Sequence, residues 1–127
     1  MEIYAKPTVQ NYPENPSTGT VNISLSAMQE SGLTVVIAGK QKVPLYDDAF
    51  LILAPDGEKP GWTGERGSLV DFTDPENPQQ KTENTVMTLP KEALKKYLGE
   101  EVQLRYQTYG ESEEYRYSKP IRLKIEP

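Results

Sequence analysis

The apolar residues of this sequence come in short runs, and nearly every run is closed by a turn built on glycine or proline. "TVNISLSAM" alternates Val21, Ile23 and Leu25 with polar neighbours, and "GLTVVIAG" holds Leu33, Val35, Val36 and Ile37 between two glycines. "AFLILAPDG" carries Phe50, Leu51, Ile52 and Leu53 as an unbroken apolar stretch. Alternation with period two, or a brief apolar run bounded by turn residues, is the pattern of a β-strand. Adding "GSLVDF", "NTVMTL" with Val86 and Leu89 as expected anchors, "EEVQLRYQTY" and "EYRYSKPIRLKI" brings the count to about seven strands at even spacing. That spacing predicts an all-β fold, a two-sheet sandwich. The 11 prolines and 9 glycines among 127 residues agree with many turns, and the length suits one domain. Residues 1–20, with "NYPENPSTG", read as an N-terminal extended segment or linker, and residues 21–127 as the sandwich.

One helix interrupts the strands. In "LPKEALKKYLGEEVQLRYQ", Pro90 stands where a missing N–H costs nothing and Gly99 where a left-handed residue ends a helix. Ala93, Leu94, Tyr97 and Leu98 fall on one face, and Glu92 with Lys96 has the spacing of an intrahelical ion pair. A helix of about two turns is marginal in water, so this one is expected to dock by its apolar stripe and join the two sheets ahead of the penultimate strand. The final two strands form an antiparallel hairpin around "GESE", with Tyr115, Tyr117, Ile121, Leu123 and Ile125 on one parity. Pro120 cannot donate to a ladder, which predicts an edge position or a break near it.

The formal charge is -5, from 14 Lys and Arg against 19 Asp and Glu, so the long-range field repels nucleic acid and anionic lipid. The sequence has neither Cys nor His, which removes thiolate chemistry, Cys-ligated zinc, the commonest metal ligand and the commonest general base near neutral pH. No catalytic motif stands out, no enzyme activity is expected, and no cofactor is expected. The N-terminal stretch has no basic leader or apolar run, and no membrane insertion is expected. The C-terminal "PIRLKIEP" stops as its strand ends, which raises the expectation of a piece of a longer polypeptide.

"KPTV", "GLTVVIAG", "YDDAFLILAPDG", "VMTLPKEALKKYLGEEVQLRYQ" and "YSKPIRLKI", taken in order, resemble the tandem immunoglobulin-like β-sandwich repeats of large bacterial surface and adhesin-type proteins. The resemblance runs from about Lys6 to Ile125, with Pro90, Gly99, Tyr106, Ser118 and Pro120 at the family's marked positions. It implies an immunoglobulin-like, fibronectin III-like sandwich, a non-catalytic spacer or adhesion role, neighbouring domains of the same polypeptide as partners, and an extracellular or surface location. The connection "PDGEKPGWTGERG" is longer than in those repeats. A small intracellular protein of the same fold is a further reading.

That connection also carries the sharpest candidate for binding. Trp62, the single tryptophan, sits between glycines, where an exposed indole could stack on a glycan or anchor a protein ligand. The alternative is an indole folded back over the sheet. Arg66 on the same connection and Tyr46 ahead of the "AFLILA" run complete the candidate ligand-binding set. The acidic groups Asp47 and Asp48, then Asp71, Asp74 and Glu76, lack the spacing of a calcium loop and read as solvated carboxylates.

Overall fold

The computed structural model describes residues 2–55 and 60–127, with side chains from Tyr4 onward. Twelve strands and one helix follow in order: β1 (Glu2–Tyr4), β2 (Thr8–Val9), β3 (Thr20–Ser24), β4 (Leu33–Ile37), β5 (Asp47–Ala54), β6 (Trp62–Thr63), β7 (Val70–Asp71), β8 (Gln79–Gln80), β9 (Thr85–Leu89), α1 (Lys91–Lys95), β10 (Glu101–Gly110), β11 (Arg116–Ser118) and β12 (Ile121–Glu126). The fold is all-β in the coarse sense predicted. β2, β4 and β9 form a three-stranded sheet in that order, and β7 with β8 forms a small separate hairpin.

The larger sheet is built around β10. β5 pairs along one side of it and carries β6 on its own far edge; β11 and β12 share the other side, flanked by β1 and β3 respectively, both in parallel. Residues paired across antiparallel strands share a face. Leu51, Leu53, Leu104 and Tyr106 therefore point inward with Leu123 and Ile125, to meet Leu33, Val35, Ile37 and Leu89 of the smaller sheet in one buried cluster.

Pro120 produces a break, not an edge: β12 lies between β10 and β3. Leu104 faces Ile121, but Gln107 faces Tyr117, so residues 118–120 oppose only Arg105 and Tyr106. That extra residue is a bulge. The Tyr106 N–H donates to Ser118 Oγ at 3.1 Å, which in turn donates to the Lys119 carbonyl at 3.0 Å, so side-chain bonds replace the interrupted ladder. An extra residue also reverses facing. Tyr117 is turned to the outer side, and Tyr115 is 54% exposed and stacked on Tyr109 at 4.1 Å, while Ile121, Leu123 and Ile125 remain inside. The single inward parity expected from the sequence holds only beyond the bulge.

Within the segment read as a linker, residues 2–4 and 8–9 pair into the sheets. β1 and β2 lie on different sheets, Val9 is buried, and Tyr4 stacks on Tyr106 at 5.5 Å with its hydroxyl 2.9 Å from Thr108 Oγ1. Nothing in residues 1–9 alternates long enough to announce this.

α1 connects β9 of one sheet to β10 of the other, as expected, and Gly99 takes a φ of 81°. The helix is short, and Pro90 has extended geometry as its N-cap. Gly99 N–H donates to the Ile125 carbonyl at 2.8 Å, and Ile125 N–H to the Glu100 carbonyl at 3.0 Å, so the helix end runs directly into pairing with β12. Ala93, Leu94 and Tyr97 are buried, but Leu98 is 50% exposed because the last turn tightens beyond Lys95. Glu92 pairs with Lys95 at 2.6 Å, leaving Lys96 to reach the Gly61 carbonyl at 2.6 Å. Val86 also departs from expectation: at 62% exposed it faces outward, and Met87 packs toward the core instead.

Leu94→Ala is expected to cost about 2–4 kcal/mol in urea unfolding, whereas Leu98→Ala changes stability by less than about 0.5 kcal/mol. Burial raises the Tyr106 phenol far above its ordinary pKa, and burial also raises Tyr4. Because the folded state keeps protons that the unfolded state releases near pH 10, stability should be full below that pH and decline above it. The Tyr106 hydroxyl has no hydrogen-bond partner among the described residues. Tyr106→Phe should therefore cost less than about 1 kcal/mol at pH 7 and flatten the alkaline decline seen in denaturant titrations.

Candidate functional site

Two of the three sequence candidates, Trp62 and Arg66, lie on the connection after β5, of which residues 56–59 lie outside the described residues. From Gly61 the chain runs back along β5: Gly61 N–H donates to the Leu53 carbonyl at 2.8 Å, Gly64 N–H to the Leu51 carbonyl at 2.8 Å, and Gly67 exchanges both backbone bonds with Ala49. Between the last two points Glu65 and Arg66 oppose the single residue Phe50, which makes a second bulge. Arg66 is swung over the Phe50 ring, 5.0 Å from its centroid, and its guanidinium lies 3.6 Å from Asp48.

Trp62 faces Leu53 across the β5–β6 pair and so points to the core side of the sheet. It is half-buried against the hydrophobic cluster, with Gly64 so close that a Cβ there would stand 3.0 Å from the indole. The indole has folded back. Its remaining accessible edge borders a depression of about 560 Å³ that opens between β9 and residues 64–68, with Leu51 and Met87 in its lining and Glu65, Arg66 and Lys81 around it.

Trp62 and Arg66 are thus brought to one cleft, and Tyr46 is not. Tyr46 is 56% exposed in the turn before β5 and tilts against Phe72 with ring centroids 6.2 Å apart. Sequence reasoning did not reach the other side of the cleft, β9 and Lys81, because nothing local places residues 81–88 beside residues 62–67. A second depression of about 590 Å³ continues along β9, bordered by Asp71, Glu83 and Asn84, and shares Lys81, Thr85 and Val86 with the first.

Of the acidic groups, Asp48, Asp71, Asp74 and Glu76 are exposed, as expected of solvated carboxylates, and Asp47 is the exception. Asp47 is buried, unlike the solvated carboxylate expected: it accepts from the Ser112 N–H at 2.9 Å and from the Ser112 hydroxyl, with Arg116 at 3.7 Å, and so ties the β10–β11 turn to β5. Asp71 accepts from the Thr73 hydroxyl and N–H, which pulls its pKa below the ordinary carboxylate value, and Asp74 accepts from Glu76 N–H at 3.1 Å. Among the described residues no group of three or more carboxylates is placed to hold a metal ion, and no helix is long and apolar enough to cross a membrane.

No protein family, curated protein or solved structure matches the chain.

An inward indole makes Trp62 a contributor to stability. Trp62→Ala should lower unfolding free energy by roughly 2–3 kcal/mol, somewhat less than for a fully buried tryptophan, whereas an indole serving only a ligand would leave the melting curve unchanged.

Proposed function

We propose that this chain is an immunoglobulin-like module that works without catalysis, as a spacer or interaction domain of a larger bacterial surface protein. The strand order supports the reading. One sheet runs β2-β4-β9; the other has seven strands, with β5 and the β11–β12 column on either side of β10 and β1, β3 and β6 outside them, and α1 lies on the connection that crosses between the sheets before β10, all in keeping with a two-sheet sandwich. The sequence resemblance points the same way, and a surface setting follows from it alone.

The observation that carries a mechanical role is the placement of the first and last strands. Glu2 lies opposite Tyr117 and Glu126 opposite Ser24, so the chain enters the β11–β12 column near its start and leaves at its end, roughly 30 Å away at strand rise per residue. Domains linked through such points would be held apart along one axis. Both terminal pairings are parallel. Tension between the two ends then slides β1 along β11 and β12 along β3, loading the ladder bonds together instead of one after another.

Single-molecule stretching through residues 2 and 126 should therefore need more force than stretching through residues 24 and 126, which peels β12 from β3 one pair at a time. Equal or lower force along the terminal axis would rule out the load-bearing reading.

A further inference from the structure

β9 is the outermost strand of its sheet: it pairs with β4 on one side and with no strand on the other among the described residues. Its open side is not covered by the chain that passes it. Thr85, Val86, Met87 and Thr88 all border the 560 Å³ depression. Side chains of consecutive strand residues alternate between faces, so four in succession border one cavity only if the cavity lies beside the strand's backbone edge. The adjoining depression of about 590 Å³ carries the same trough on past Thr85. Residues 64–68 form its far wall, and Met87 touches Gly67 at its floor, where an added Cβ would stand 3.3 Å from Met87 Cε.

Exposed strand edges are ordinarily blunted by a charge, a proline or a bulge. "TVMTL" has none of these, and its register with β4 is unbroken. A row of unpaired backbone N–H and C=O groups is complementary to one thing above all, another extended backbone. The wall at residues 64–68 selects among extended backbones. A second copy of this protein would bring its own wall against the first, whereas a lone strand can enter the trough.

Lys81 indicates the chemistry of that strand. It borders both depressions; its ammonium donates to the Ser68 carbonyl at 3.1 Å and acts on Asp71 through space, but makes no ion pair among the described residues. We propose that the trough along β9 is an acceptor site for an extended segment of another polypeptide. The segment adds as a fourth strand beside β9, directs alternate apolar side chains toward Met87 and Trp62, and sets a carboxylate against Lys81. The site stands whether or not the domain is a spacer.

The test uses two synthetic heptapeptides, acetylated and amidated, that alternate valine and threonine around a central glutamate or a central lysine. Titrated into the ¹⁵N-labelled full chain, the glutamate peptide should shift the amide signals of residues 85–89 and 64–68 and slow hydrogen exchange in β9. Lys81→Glu should weaken the glutamate peptide about tenfold and favour the lysine peptide. Lys81→Gln serves if the charge reversal disturbs the native spectrum, and should weaken the glutamate peptide without gaining the other. No response at β9 to either peptide, an affinity indifferent to residue 81, or a concentration-dependent dimer with β9 already protected would overturn the proposal.

Discussion

β10 is bonded along both of its edges, and the rest of the protein is arranged by that double pairing. β5 takes one side over residues 103–110, and β12 and β11 divide the other between residues 101–104 and 107–108. Every backbone group withdrawn from water in such a strand must find a partner. At the gap between β11 and β12, where the ladder is interrupted, the Ser118 hydroxyl takes the Tyr106 N–H. The Tyr106 ring beneath is covered by Tyr4, which draws the first strand of the chain into the structure. A buried phenol stack, a proline-linked bulge and the parallel seating of β1 thus belong to one arrangement.

The same long-range pairing shapes the cleft. The bulge opposite Phe50 turns Arg66 outward while the register with Leu53 turns Trp62 inward, so neighbouring residues of one connection divide between surface and core. α1 secures this connection from the other side: Lys96 reaches the Gly61 carbonyl, and a Cβ on Gly61 would stand 2.5 Å from the Tyr97 hydroxyl. The helix therefore both crosses between the sheets and holds the segment that forms the cleft's wall. Residues 64–84 pass the open side of β9 without joining it: Gly67 bridges to Ala49 of β5, and β7 and β8 pair with each other.

Much of the fold was legible because strands and turns leave local marks. Val21 and Ile23, Leu33 to Ile37, and Val102 to Tyr106 announce their strands by alternation, and Pro90 with Gly99 marks where the helix starts and stops. The candidate site was legible only as a pair of residue types. Trp62 and Arg66 were evident as an aromatic and a cation on a glycine-rich connection, but the direction of Trp62 depends on its register with Leu53 and that of Arg66 on a bulge defined by Ala49 and Leu51. Tyr46 carried the same kind of signal and lies elsewhere, against Phe72. Val86 and Leu98 fit apolar patterns yet face water, because a pattern shows which faces are alike and not which of two faces a neighbour will cover.

By itself, then, the sequence determined the all-β class, the positions of most strands, the single helix and its ends, and the absence of histidine and thiol chemistry. These follow from backbone preferences and from side-chain types, which act over a few residues. Tertiary structure decided the facing of Tyr115 and Tyr117, the capture of β1 and β2, the inward turn of Trp62 and the open edge of β9. Each of these depends on which distant strand supplies the partner. A shift of one residue in that pairing reverses every side chain beyond it, and local sequence carries no record of the shift.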